Sequence, residues 1–110
     1  MSIENAASPI ISEFKNDPRN KVFVGFDALR ISAQEETGTE VSPDSLKSVI
    51  QAYLDGECTD EQESVYDGAV YICGYVARSC FGEGPDDDID YEIEWMVNDD
   101  GSFTAQVMQS

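Results

Sequence analysis

The sequence predicts a single α+β domain of about four helices, followed by a C-terminal antiparallel β-hairpin packed on the helical layer. Three observations predict it. Apolar residues recur at helical spacing behind helix-start residues through most of the first 81 positions. The period drops to two after the linker Gly82-Glu83-Gly84-Pro85. The two alternating stretches are joined by Asn98-Asp99-Asp100-Gly101, a turn composition. A length of 110 residues suits one domain, and 41% hydrophobic residues suffice for a core.

Ser8 followed by Pro9 reads as an N-cap with proline at the first helical position, and Ile10, Ile11 and Phe14 form an apolar stripe ending near Asn16. The polar stretch Asn16 to Asn20 reads as a turn. The next segment has two readings. Spacing through Val22, Phe26, Leu29 and Ala33, with Gly38 as a stop, predicts a helix over roughly 22–36, whereas residues 21–26 alone offer a third strand.

Ser42-Pro43 repeats the cap-plus-proline signal before Leu46, Val49, Ile50, Tyr53 and Leu54, and Gly56 stops that helix. Thr59 with Gln62 is a capping box, and Asp60, Glu61 and Glu63 suit the positive end of a helix dipole. The helix they start runs to about Phe81. It is apolar around much of its circumference and is expected to be the core helix, with Gly68 and Gly74 admitting close neighbours.

In the first strand, about 89–97, Ile89, Tyr91, Ile93, Trp95 and Val97 alternate with Asp90, Glu92 and Glu94. The apolar set, with Phe103, Ala105 and Val107 of the second strand, is expected to pack on the helices, since a lone hairpin is marginal in water.

Formal net charge is −17, unevenly placed. Residues 1–54 carry eight acidic and five basic side chains, whereas residues 55–110 carry fifteen acidic side chains and Arg78. Direct binding to nucleic acid or anionic membrane is therefore not expected, because those contacts need Lys and Arg. Attraction to a basic protein surface is favoured.

No histidine is present, which excludes Ser-His-Asp and Cys-His triads and histidine-containing metal sites. Cys58 precedes a helix start, but Glu57, Asp60 and Glu61 oppose thiolate formation, and Cys73 and Cys80 read as core thiols. If helical, those two lie about 10.5 Å apart along the axis, too far for a disulfide. Asp86, Asp88 and Asp90 imitate the start of a calcium loop, but Tyr91 stands where glycine is needed and Val97 where glutamate is needed. No catalytic residue, metal site or cofactor is expected.

The expected binding residues are Asp86, Asp87, Asp88, Asp90, Glu92, Glu94, Asp99 and Asp100. Carboxylates two apart on a strand lie about 6.6 Å apart, on the scale of successive phosphates. The plain alternative is a solvated sheet face that blocks edge pairing. The whole-chain charge tips the balance, because it exceeds the magnitude of about 2–8 that solubility asks of a small domain.

In size and charge alone the chain resembles small acidic phage inhibitors of host defence, the anti-CRISPR and anti-restriction DNA mimics, and bacterial toxin-immunity proteins. The resemblance implies a non-catalytic inhibitor that occludes a basic, nucleic-acid-binding surface, or an antidote that neutralises a toxin. A housekeeping or structural domain with a salt-adapted acidic surface is the third reading. The N-terminus lacks a basic start and apolar run, and no stretch approaches about 20 apolar residues, so a cytoplasmic location in a bacterial or phage-infected cell is expected.

Overall fold

The computed structural model describes residues 2–84 and 86–109; Pro85 of the expected linker lies outside the described residues. The order is α1 (Ile3–Asn16), β1 (Lys21–Val24), α2 (Phe26–Thr37), α3 (Pro43–Leu54), α4 (Asp60–Phe81), β2 (Tyr91–Val97) and β3 (Phe103–Gln109). A three-stranded antiparallel sheet of order β1-β3-β2 packs against α1, α2 and α4, with α3 packed on α4, an α+β fold as predicted.

Helix α1 begins six residues earlier than its sequence signal. Ser2, not Ser8, is the N-cap and accepts from the Asn5 amide at 3.2 Å, which leaves Pro9 inside the helix. Proline there withholds a donor from the Asn5 carbonyl, but Asn5 is exposed and water can serve it. In return Ala7 is fully buried and Ile3 packs on the core, and apolar burial of this kind contributes about 25 cal/mol per Å².

Residues 21–24 form a strand, so the expected helix over 22–36 is corrected to β1 plus α2, with the break at Gly25. Val22 pairs with Val107 and Val24 with Ala105. That pairing lies more than 80 positions away in the chain, beyond any local periodicity. Gly38 does end α2, in the left-handed region at φ 71°, which favours glycine.

The other helix signals hold. Ser42 caps α3 through the Ser45 amide with Pro43 in the first turn. Thr59 and Gln62 form the reciprocal capping box of α4. Helix α4 is the central element and touches every other helix and all three strands. Its contact with α2 is close enough that a Cβ on Gly68 would stand 3.3 Å from the Ala33 Cα. At its C-terminal end Phe81 meets Phe14 of α1 edge to face, with ring centroids 5.3 Å apart.

Strand β2 starts at Tyr91 instead of Ile89, although Ile89 still packs against the core. Because β3 is central, its inner residues Phe103, Ala105 and Val107 are buried while β2 forms an edge. Val97, expected on the helices, is 71% exposed although its partner Phe103 is buried, because Val97 lies on the edge strand while Phe103 lies on the central one.

Candidate functional site

Alternation along β2 sends Tyr91, Ile93 and Trp95 inward and Glu92, Glu94 and Met96 outward. Trp95 anchors the strand by donating from Nε1 to the Tyr66 hydroxyl at 3.2 Å. Tyr66 in turn stacks on Tyr53, with centroids 3.7 Å apart. The acidic edge is thereby tied to α4 and α3, and its outward side chains are held on an ordered frame.

The register defines what surrounds those carboxylates. Across the outer face, Lys21, Met108 and Glu92 form one row; Phe23, Gln106 and Glu94 form the next; Thr104 and Met96 form the third. With strands about 4.8 Å apart, the acidic edge lies about 10 Å from Lys21 and Phe23. Lys21 Nζ lies 5.9 Å from the centroid of the Phe23 ring. Phe23 is 42% and Met96 41% exposed. The outer face is therefore mixed, acidic along β2 and apolar with one cation along β1.

Asp90 is exposed just before β2, and Glu92 and Glu94 are exposed on it, without an ion pair among the described residues. Asp86 and Asp88 are exposed before the strand and Asp99 after it. The seven-residue strand separates those two ends by about 20 Å, so the carboxylates form a strip and not a cluster. Among the described residues, no three His, Cys, Asp or Glu side chains converge to hold a metal ion.

The remaining two expected residues work within loops. Asp87 accepts from the Glu83 amide at 2.9 Å while its own amide donates to the Gly84 carbonyl at 3.0 Å. Gly82 allows this clasp, because a Cβ there would lie 2.6 Å from Asp87 Oδ2. Asp100 accepts from the Ser102 amide at 3.0 Å and the Ser102 hydroxyl at 2.6 Å, and those bonds hold its carboxyl below the ordinary range. Its backbone carbonyl accepts from Lys47 Nζ at 3.3 Å, which links the hairpin turn to α3.

Cys58 has a thiol raised above its ordinary value by desolvation first and then by Glu63 and Asp67. The direction agrees with the sequence expectation, but the responsible carboxylates sit farther along α4. Burial pushes Cys73 up to about 12 and Cys80 up to about 11. None of the three is poised as a thiolate nucleophile.

Phe23 and Met96 were absent from the expected binding set, although the signal was present. Met96 shares the parity of Glu92 and Glu94, and Phe23 shares that of Lys21. Chemically, the strip can accept hydrogen bonds from guanidinium and ammonium groups, and the exposed apolar side chains beside it can seat nonpolar atoms.

Compared with known proteins, the chain matches no family model, no curated protein and no solved structure. Fold and surface together define it as a small acidic α+β protein with an exposed, mixed sheet face. No helix among the described residues is long and apolar enough to cross a membrane.

Proposed function

We propose that the protein is a non-catalytic acidic inhibitor that binds a basic, nucleic-acid-binding surface of a partner protein and occludes it, as anti-CRISPR and anti-restriction DNA mimics do. The observation that carries this reading is the strip of exposed carboxylates along one sheet edge, in a chain half with fifteen acidic side chains against Arg78. Self-repulsion on this scale costs stability, so a binding role gives the charge a function. The field of the strip steers a cationic partner into contact, and the folded domain then blocks the site sterically. The place of action is the cytoplasm of a bacterial or phage-infected cell.

A toxin-neutralising immunity protein is the second reading. Exposed Phe23 and Met96 beside Glu92 and Glu94 favour it, because tight protein interfaces combine apolar anchors with a polar rim. A salt-adapted housekeeping domain is the third reading. It accounts less well for charge gathered after residue 54, since solvent adaptation acts on the whole surface.

The deciding experiment is Asp90→Lys, Glu92→Lys and Glu94→Lys combined. All three side chains are exposed, so the variant is expected to fold and to lose affinity for a partner captured from host lysate. Full retention of binding would refute the acidic-strip reading. A DNA mimic also competes with nucleic acid and weakens steeply with salt, whereas an immunity protein depends on Phe23 and Met96. A salt-adapted domain unfolds at low salt.

A further inference from the structure

We propose that the groove between the C-terminal half of α3 and the end of the β2–β3 hairpin seats an arginine or lysine side chain presented by an extended segment of the partner. The inference rests on the reading that the partner is a basic protein. The groove is a shallow, open depression of about 590 Å³. It therefore has room for a long side chain and its flanking backbone.

The floor is apolar. Val97 and Phe103 are paired across the hairpin, yet Phe103 is 3% exposed and Val97 is 71% exposed. Phe103 is therefore covered, and the apolar surface open to an occupant is the Val97 side chain at the sheet edge, with Ala52 of α3 across the groove. Such a floor suits the methylene stem of Arg or Lys.

The walls select the head group. Asp55 and Glu57 line the groove where α3 ends. The last turn of α3 holds no basic residue; its Gln51, Ala52 and Tyr53 carbonyls already accept from the Asp55, Glu57 and Gly56 amides, so the two side chains carry the selection. Lys47 also lines the groove, but it lies eight positions before Asp55, about 12 Å along the axis. Its Nζ is engaged by the Asp100 carbonyl at 3.3 Å. The Asp55 end is left negative. An acidic occupant is repelled there, and a purely apolar one desolvates two carboxylates of which Asp55 has one internal donor, Gln51 Nε2 at 3.1 Å. A cationic side chain with an aliphatic stem satisfies both the floor and the walls.

The test is a 15N NMR titration of the whole chain with the peptide acetyl-Leu-Arg-Leu-Arg-Leu-amide, with glutamine in place of arginine as control. Shifts are expected at Ala52, Asp55, Glu57, Val97 and Phe103 with the arginine peptide only. Val97→Ser, and Asp55→Asn with Glu57→Gln, are each expected to weaken binding at least ~5-fold, the effect of about 1 kcal/mol. Both changes fall on exposed side chains and leave the fold in place. Glu35→Gln with Glu40→Gln, the same change of charge at exposed positions away from both surfaces, is expected to leave this affinity within about 2-fold, as for distant independent sites. Shifts confined to the outer face around Phe23, Glu92 and Glu94 would overturn the groove while leaving the basic-partner reading intact. Equal binding of the glutamine peptide would overturn the selection for a cation. Absence of any shift at millimolar peptide would count against both.

Discussion

The hydroxyl of Ser32 on α2 accepts the amide proton of Ile72 on α4 at 3.1 Å, across forty residues of sequence. The same hydroxyl donates to the Gly68 carbonyl at 2.5 Å, so one fully buried side chain spans a whole i to i+4 step of the central helix. A polar atom at this depth is tolerated because its partners are backbone groups. The contact fixes the rotation of α2 against α4, the helix that carries Tyr66 and hence the anchor of β2.

Ser32→Ala is expected to lower unfolding free energy by about 1–3 kcal/mol, the cost of leaving buried polar groups unpaired. Urea denaturation measures it, with an unchanged slope if only the folded state is affected. A loss below about 0.5 kcal/mol would mean that α4 closes its own hydrogen bond when the hydroxyl is removed.

Gly68→Ala sets two effects against each other. Helix propensity favours alanine by up to about 1 kcal/mol. The new Cβ would lie 3.2 Å from the Glu36 Cβ, 3.3 Å from the Ala33 Cα and 3.4 Å from the Ala33 carbonyl oxygen. Two of these atoms are backbone of a packed helix, and overpacking costs typically about 1–3 kcal/mol. The clash is expected to win, with a lower thermal midpoint than the native chain; a higher midpoint would show that α2 can shift outward.

Tyr66→Phe keeps the ring stacked on Tyr53 but removes the acceptor of the Trp95 indole N–H. A loss of about 1 kcal/mol is expected, together with a change in Trp95 emission, because the indole must find water or go unpaired. Trp95 is the single tryptophan, so the emission reports this site alone. Identical stability and spectrum would show that the bond contributes nothing to holding β2.

Alkaline pH is expected to destabilise the fold through its buried thiols. Burial raises Cys73 from 9.0 to about 12, so the folded thiol stays neutral while the unfolded one ionises. The stabilisation is complete below about pH 9 and is lost as pH rises from there toward 12. The slope is at most about 1.4 kcal/mol per pH unit for one thiol. Tyr66, also raised by burial, adds to the loss above pH 10. Urea midpoints at pH 7, 9 and 10.5 should fall in that order beyond pH 9, and Cys73→Ala should flatten the fall. A flat profile in the native chain would show that the thiol ionises as readily folded as unfolded.

Local chemistry was legible where the deciding atoms lie within a few residues. Ser42-Pro43, Thr59 with Gln62, Gly38 and the turn at Asn98–Gly101 all act through backbone groups no more than a turn away. Ser8-Pro9 carried the same local signal and misled, because Ile3 and Ala7 gain core contacts that local propensity cannot register. Of the expected binding residues, Glu92 and Glu94 were placed outward by parity, while Asp87 and Asp100 hydrogen-bond within their own loops.

By itself the sequence determined the fold class, the helix stops, the two-faced character of residues 91–97 and the concentration of charge after residue 54. Tertiary structure decided the rest. Residues 21–24 became a strand because β3 offered Ala105 and Val107 as partners, which made β3 central and β2 an edge. The same placement put Phe23 on the acidic face and left Val97 exposed on the edge strand. The physical reason is that caps, turns and side-chain parity depend on neighbours along the chain, whereas strand order and burial depend on which distant surface arrives to cover them.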